Sequence, residues 1–462
     1  MLSTRLLFFL SAVMVFIVAI YNHRRRKGRL PPGPPGNFDE SVPYFCKRLD
    51  TIAKEYGPVF SIRCSRKLRI VIASYNAAVD IMQKHGADLD GRPRVISADI
   101  LSGAISSLSR ALQSYLHHSV DEFRPLHYKH ATTFILDILK DPENHMGHAN
   151  RFTASLTLSM AYGKVAPTTF SDPDVLEIGR CLQNLLSSLR LGSYVVNAFP
   201  ILKFLPIPEV KTLERHHKDE LALFNRNLDV VHKQLNLAKS GISRDEAAYL
   251  TGTMLEGGSD TTASALSFMI MAAACFPTQV ARVQEQIDLV VRRNRVPRFE
   301  DEENLPLVTA FYQESQRWRP VGPAGFSHRA TKDIIWNGLV IPSGTTVVAN
   351  HWSVLHDPDV FPDPESFSLD RWLNDQGKLK TDVKMHGFGF GRRVCPGRAL
   401  AESSLFINMA LLCWAFRISE DPSAPIDREG FTEGLVAHPV PFKVIFEPRV
   451  DDLEQLLVSD GC

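Results

Sequence analysis

The chain begins with an uncharged apolar run at residues 6–20, and a cluster of basic side chains follows at residues 23–29. A helix needs roughly 17–25 apolar residues to span a bilayer, so this run is at the short end of that range. A cleaved signal peptide carries its charge before the apolar run, whereas here only Arg5 precedes it. We therefore predict an uncleaved transmembrane anchor with its basic flank at residues 1–28. Because positive charge marks the cytosolic side, the rest of the chain is expected in the cytosol.

Prolines and glycines dominate residues 29–36, and this composition predicts a short hinge after the anchor. Residues 59–63 and 68–73 then have the composition of β-strands. From about residue 76 onward helical periodicity dominates, and prolines break the chain between amphipathic runs at 182–191 and 214–239. The pattern predicts one domain over residues 37–462 that is mainly α with small β-sheets.

One long apolar helix is predicted between Ser243 and Pro277. Ser243 and Glu246 have the spacing of a capping box, and Pro277 ends the apolar run. The middle of this helix carries residues that an apolar helix disfavours, namely Gly257, Gly258, Asp260 and Thr261. Such local conflicts tend to fall at functional sites, although a kinked core helix would explain the glycines equally well.

Residues 388–397 contain three glycines and a proline, so they predict a tight loop, and this loop presents Cys395. Arg392 and Arg393 precede the thiol, and a helical run follows at 398–406. Positive charge and a helix N-terminus both favour a thiolate, which would act as a metal ligand or a nucleophile. The alternative is a buried structural cysteine in a glycine-rich turn.

Composition narrows the class of protein without identifying it. The chain has 462 residues, of which 44% are apolar and 22% charged, and its formal net charge is +1. No overall basic field therefore points to nucleic acid. The seven cysteines are scattered and contain no Cys-x-x-Cys pair, which argues against a zinc site and against covalently attached haem. A reduced, cytosol-facing domain is the natural interpretation.

The loop pattern Phe388-x-x-Gly391-x-Arg393-x-Cys395-x-Gly397 resembles the haem-binding loop of the cytochrome P450 family. The resemblance implies the cytochrome P450 fold with one N-terminal transmembrane helix. It also implies haem b as cofactor, with Cys395 as the axial thiolate that favours O–O cleavage. Phe388 would lie against the haem, and Arg393 would bind a haem propionate because guanidinium suits carboxylate.

The middle of the long helix is similar to the oxygen-activation motif of the same family. By this resemblance, Gly257 and Gly258 let the helix backbone bulge towards the haem. Thr261 hydrogen-bonds the oxygen that is being activated, and Asp260 relays protons to it. Glu256 departs from the usual small residue, and a carboxylate one turn from Asp260 should raise the proton affinity of one of the pair. Its role stays open.

Glu314 and Arg317 have i,i+3 spacing on a predicted helix at 307–318, which alone would indicate a weak surface salt bridge. The resemblance implies instead that both join Arg371 in a buried ion triad that locks the loop of Cys395. His328 is at a position that binds a haem propionate in the family, although alone it would be read as a solvent-facing histidine. Strands around an Asn-Gly hairpin signal at 337–338 are expected beside it.

Two segments depart from the family pattern. Relatives carry a helix with a Trp-x-x-x-Arg element that holds a propionate, and residues 101–120 contain no tryptophan. A second connection, at 239–243, also looks shortened. These gaps put stable haem binding in question.

The chain is thus identified as a member of the cytochrome P450 family of fungal, microsomal type, and residues 350–358 are similar to members related to O-methylsterigmatocystin oxidoreductase. The resemblance implies a monooxygenase that inserts one oxygen atom of O2 into a small hydrophobic substrate. Because the chain has no nicotinamide or flavin fingerprint, electrons would come from NADPH through a separate cytochrome P450 reductase, with cytochrome b5 as a second donor. The expected location is the endoplasmic reticulum membrane, in contact with lipid. Alternatives are a haem-thiolate isomerase or dehydratase, and a non-catalytic remnant that binds no haem.

Overall fold

The computed structural model describes residues 14, 29–39, 43–64, 67–102, 120–164, 169, 171–189, 194–232, 243–432 and 434–460. The predicted anchor lies outside the described residues, apart from Met14, and so does nearly all of both shortened segments. Within the described residues, no single helix is long and apolar enough to cross a membrane. One pair of helices passes this test together, by length and composition only. The pair is Arg244–Cys275 and Pro277–Val290, joined at a bend of 102°.

Helices make up most of the described chain. In chain order they are α1 Phe45–Tyr56, α2 Tyr75–Ala78, α3 Ile96–Leu101, α4 Val120–Lys140, α5 His145–Tyr162, α6 Pro173–Leu189, α7 Val195–Ala198, α8 Pro208–His232, α9 Arg244–Cys275, α10 Pro277–Val290, α11 Pro306–Trp318, α12 His351–Leu355, α13 Arg398–Ala415 and α14 Leu453–Asp460. The strands are β1 Val59–Cys64, β2 Lys67–Ile72, β3 His328–Arg329, β4 Ile334–Trp336, β5 Leu339–Ile341, β6 Thr346–Ala349, β7 Phe416–Glu420 and β8 Val444–Pro448. The prediction of a mainly α protein with small sheets is confirmed.

The strands form one four-stranded sheet and two hairpin-like pairs. The four-stranded sheet has the order β1-β2-β6-β3, in which β2 and β6 are parallel and the other neighbours antiparallel. β4 pairs with β5 around Asn337 and Gly338, which both have positive φ, as expected for an Asn-Gly turn. The strand predictions at 59–63 and 68–73 are therefore confirmed.

The centre of the molecule is α9, and its start and end follow from the sequence. Ser243 caps the helix, and the Ser243–Glu246 capping box is formed in both directions. Pro277 begins the next helix, so α9 ends at Cys275. From Thr262 to Cys275 every residue of α9 is buried, and the helix packs against α5, α8, α11 and α13. α9 is therefore held in place by packing on several sides, and it carries part of the candidate site.

The hinge is attached to the sheet over its first half. Ser61 of β1 donates its backbone N–H to the Pro32 carbonyl at 2.7 Å and its hydroxyl to the Pro31 carbonyl at 2.9 Å. A Cβ on Gly33 would lie 1.8 Å from the Ser61 carbonyl oxygen, so only glycine fits there. Gly36 has a φ of +86° with open space around it, a backbone conformation that favours glycine.

Candidate active site

The loop of Cys395 is held against the segment that follows α2. The Cys395 N–H donates to the Phe388 carbonyl at 2.8 Å, which closes the loop on itself. The Gly391 N–H donates to Gln83 Oε1 at 2.8 Å. Gly391 has φ of +55°, and a Cβ there would lie 2.8 Å from the Met82 carbonyl oxygen. Glycine is thus required at 391 both for its backbone conformation and for the close approach.

The thiol of Cys395 lies at the predicted helix N-terminus, and groups of that terminus act on its pKa. Burial raises its pKa, while a hydrogen bond from the Gly397 backbone and the charge of Arg398 oppose the rise. Both favourable groups belong to the helix N-terminus, since Gly397 and Arg398 are the cap and first residue of α13. The stabilisation of a thiolate by Arg392 and Arg393 stays a prediction.

Three basic side chains meet beside this loop. Arg393 Nε donates to the Asp90 carbonyl at 2.6 Å, and the Leu89 carbonyl accepts from His328 Nδ1 at 2.7 Å. Burial and then the charge of Arg393 lower the pKa of Arg92 to about 10. Burial lowers the pKa of His328 to about 4, and both arginines contribute to that decrease. Mutual repulsion of this kind would be relieved by an anion bound among the three groups.

The two glycines of α9 have different surroundings. A Cβ on Gly257 would meet no atom within 4 Å, so this residue borders open space. A Cβ on Gly258 would lie 2.6 Å from Thr157 Cγ2, so Gly258 serves the packing of α9 against α5. α9 is a continuous α-helix through both glycines, and the bulge towards a bound haem stays a prediction. Thr261 Oγ1 donates to the Gly257 carbonyl at 2.6 Å and is partly exposed to the same open space.

Asp260 is paired with a residue that the sequence analysis did not consider. His438 Nε2 lies 3.2 Å from Asp260 Oδ2, and the two side chains are 26% and 13% exposed. The histidine belongs to a turn at residues 431–439 near the C-terminus of the chain. The acid of the proposed oxygen-activation motif therefore has a titratable partner on a separate element.

Glu256 is paired with Glu220 of α8, and this corrects the expected coupling to Asp260. Burial raises the pKa of Glu256 well above its ordinary value, and the Glu220 charge raises it further. Burial likewise raises the pKa of Glu220 to about 7. Glu220 Oε2 and Glu256 Oε1 are buried without a hydrogen-bond partner. The two carboxyl groups therefore retain protons at a pH where exposed ones have lost them.

Glu314, Arg317 and Arg371 meet in the interior, and a fourth side chain joins them. Arg317 Nε and Nη2 donate to the Glu314 carboxylate at 2.8 and 2.9 Å, and Arg371 Nε donates to Glu314 Oε1 at 3.3 Å. Trp372 Nε1 donates to Glu314 Oε2 at 2.9 Å. Glu314 and Arg317 are 0% exposed. The pair that would look like a surface bridge by spacing alone is a buried one.

The hydrogen bonds of this cluster reach a segment other than the Cys395 loop. Arg317 also donates to the carbonyls of Leu355, Pro364 and Ser366, at 3.2, 2.8 and 3.1 Å. No hydrogen bond from the three charged side chains to residues 388–397 is present in the described part of the chain. The connection is indirect, because Arg317 fixes the end of α12, and α12 contacts the turn at His386–Phe388.

Sequence reasoning missed four residues of this site. Two had a local signal: Arg92 stands in a Gly-Arg-Pro stretch, and Trp372 directly follows Arg371. Glu220 and His438 had none, because each meets α9 only through tertiary packing.

The donor set fits haem. A thiol is presented at the start of α13, a cluster of Arg92, His328 and Arg393 suits two propionates, and Gly257 of α9 borders open space. The Trp-x-x-x-Arg element expected from the family would fall in residues 103–119, which lie outside the described residues.

Comparison with known proteins agrees with this geometry. The family model described as cytochrome P450 matches residues 171–446. The chain is 44% identical to cytochrome P450 monooxygenase 64 of Postia placenta, over 99% of this chain and 97% of the relative. It is 32% identical to cytochrome P450 monooxygenase aneD of Aspergillus aculeatus, over 94% and 91% of the two chains. A third relative, cytochrome P450 monooxygenase ARMGADRAFT_1018420 of Armillaria gallica, is 30% identical over 98% and 96%.

The alignment with the Postia placenta relative also bears on the shortened segments. It extends over 490 positions, which exceeds the 462 residues of this chain, so the relative has residues for which this chain has none. The match still covers nearly the full length of both proteins. The chain therefore belongs to the cytochrome P450 family of monooxygenases.

Proposed function

We propose that this protein is a membrane-anchored haem-thiolate monooxygenase that inserts one atom of O2 into a small hydrophobic substrate. The observation that carries the proposal is the loop of Cys395, which is closed by its own backbone, fixed against residues 82–90 and followed by a helix N-terminus. Haem b, when bound, would supply the iron at which O2 is reduced.

Separate residues of the chain would bind the haem and supply protons. Cys395 would provide the sulfur ligand of the haem iron, and Arg92, His328 and Arg393 would hold the propionates. A propionate would raise the pKa of His328 again, because a negative charge favours the protonated ring. The Thr261 hydroxyl, which donates to the Gly257 carbonyl, would be the hydrogen-bond donor for the oxygen substrate, and Asp260 would supply protons.

Electrons would come from NADPH through a separate cytochrome P450 reductase, with cytochrome b5 as a second donor. The proposed location is the endoplasmic reticulum membrane, with residues 1–28 as a single-pass anchor and the catalytic domain in the cytosol. Large apolar side chains exposed between α6 and α8 support contact with lipid; they are Val195, Phe199, Ile201, Phe204 and Leu205. Exposed apolar patches of this kind are typical of protein or membrane contact sites.

The test is a reduced, CO-bound difference spectrum of the expressed protein, followed by turnover. A thiolate-type Soret band supports a haem-thiolate enzyme, and NADPH-dependent product with a reductase then separates a monooxygenase from an isomerase or dehydratase. The absence of any haem band would favour the non-catalytic remnant, which the extra residues of the relative make a specific alternative.

A further inference from the structure

The turn that carries His438 is fixed at several points, so the position of the imidazole is well determined. The backbones of Thr432 and His438 are joined because the Thr432 N–H donates to the His438 carbonyl at 2.7 Å. Thr432 Oγ1 in turn accepts from the His438 N–H at 2.9 Å. Next to it, the Ala437 N–H donates to the Val321 carbonyl at 2.8 Å, and Ser264 of α9 donates its hydroxyl to the Ala437 carbonyl.

These contacts join the turn directly to the helix that carries Asp260. Ser264 lies one turn after Asp260 on α9, and its hydroxyl is fully buried. The histidine side chain is 26% exposed and the aspartate side chain 13% exposed. The His438 imidazole is thus the more exposed of the two side chains, and its Nε2 lies 3.2 Å from Asp260 Oδ2.

We propose that His438 protonates Asp260 again each time Asp260 has given up a proton during the reaction. This proposal rests on the proposed function, because it assumes that Asp260 supplies protons to the oxygen being reduced. His438 is accordingly a positioning and proton-exchange residue, and it acts through Asp260 rather than on the substrate.

The proton balance is simple and involves no redox change at either side chain. The proposed cycle starts from a protonated imidazole whose Nε2 N–H faces the Asp260 carboxylate at 3.2 Å. The Nε2 proton moves to Oδ2, which leaves the ring neutral with its proton on Nδ1, and Asp260 then passes a proton towards the oxygen and is a carboxylate again. The partly exposed ring then takes one proton from water and is imidazolium again. Each cycle delivers one proton and returns both side chains to their starting state.

A glutamine at 438 separates proton exchange from simple positioning. Its amide can donate a hydrogen bond to Asp260 as the imidazole does, but it does not exchange protons in the range where histidine does. His438→Gln and His438→Ala are therefore compared with His85→Gln. His85 is a matched control, because it also faces an aspartate, Asp88 at 3.9 Å, and lies outside the pair.

The measurements are product formed per NADPH consumed, and the solvent deuterium isotope effect, in reductase-supported turnover. We expect both His438 variants to lose about tenfold in product per NADPH, with a larger solvent isotope effect, while His85→Gln behaves as the unmodified protein. If His438→Gln retains the original coupling and isotope effect, the proposal is overturned, since a hydrogen bond alone would then suffice.

Two further measurements distinguish this failure from others. The CO-bound difference spectrum is recorded for each variant, and an unmodified protein without a thiolate band would refute the proposed function itself. Thermal unfolding of His438→Ala, Asp260→Ala and the double variant tests the contact without turnover. The Tm losses should be less than additive, because each single change already removes the same pair. Fully additive losses would show that the pair does not exist in solution and would overturn the proposal.

Discussion

The guanidinium of Arg317 donates two hydrogen bonds, at 2.8 and 2.9 Å, to the Glu314 carboxylate three residues earlier, and neither side chain is exposed. Elsewhere Glu177 and Arg180 have the same Glu-x-x-Arg spacing on α6, but their closest atoms are 3.6 Å apart and the side chains are 25% and 60% exposed. The same local pattern thus gives an internal brace in one helix and a surface pair in another.

Removing Arg317 should be far more costly than removing Arg180. Arg317→Ala removes two hydrogen bonds and the nearest positive charge from the buried Glu314 carboxylate, and it removes a donor from three backbone carbonyls, so we expect a loss of about 3–5 kcal/mol in the free energy of unfolding. Arg180→Ala should cost less than about 1 kcal/mol. Urea unfolding of both variants checks this, and equal losses would contradict the structural role of the buried pair.

The two glycines of α9 should respond oppositely to alanine. In Gly258→Ala the new methyl meets Thr157, whose hydroxyl donates to the Thr153 carbonyl at 2.8 Å and lies 3.0 Å from Ser259 Oγ. Because these bonds restrain Thr157, we expect a loss of about 1–3 kcal/mol. Gly257→Ala adds a methyl in open space and should gain up to about 1 kcal/mol from helix propensity. Thermal unfolding of both variants measures these changes. A Gly258→Ala variant that is more stable than the unmodified protein would refute the packing of Gly258 against Thr157.

The carboxyl pair between α8 and α9 predicts a specific pH dependence. Raised pKa values mean that Glu220 and Glu256 hold protons in the folded state that the unfolded chain releases. Their unfavourable contribution therefore appears as pH rises above the ordinary value of 4.5 and grows through about 7.

Glu256→Gln should accordingly stabilise the protein at pH 8, with the difference shrinking towards pH 5. Guanidinium unfolding at several pH values measures it. Glu143→Gln, at an exposed position, is the control and should change little. A variant that is less stable than the unmodified protein at pH 8 would show that the pair is not under strain.

Buried histidines predict a loss of stability at acidic pH, whereas the carboxyl pair predicts a loss at higher pH. Outside the basic cluster, six of them have pKa values lowered by burial to about 3 or 4: His127, His130, His145, His351, His356 and His386. The unfolded chain protonates these rings near 6.5, so stability is lost as pH falls below that value towards the folded pKa.

The combined loss should be about 8 kcal/mol over one full pH unit, which is comparable with the total stability of a typical domain. We therefore expect cooperative unfolding near pH 5–6, with an uptake of several protons. His356→Gln should reduce the pH slope of the unfolding free energy by about one proton. A slope below two protons in the unmodified protein would disprove the neutral, buried state of these rings.

Replacing the proposed axial ligand gives the most direct spectroscopic prediction. Cys395→Ala should abolish the thiolate-type Soret band of the reduced, CO-bound protein, because no other described cysteine lies in this loop. Cys275→Ala removes a different buried thiol and should keep the band while losing some stability. Retention of the band in Cys395→Ala would refute the ligand assignment.

The sequence by itself determined the elements and the thiol loop. Local chemistry fixes these features: the capping box at Ser243 and Glu246 begins α9, Pro277 ends it, and Asn337-Gly338 makes the hairpin turn. Glycines at positive φ and close approach likewise make 388–397 a loop that presents Cys395.

Only the tertiary structure decided which side chains these elements bring together. Asp260 meets His438 from a distant turn, Glu256 meets Glu220, and Gly397 and Arg398 act on the thiol. Charge interactions depend on distance and burial, and neither can be read from spacing along the chain. The helix and the loop of the site could therefore be predicted from the sequence, whereas tertiary packing determines which residues their charged groups contact.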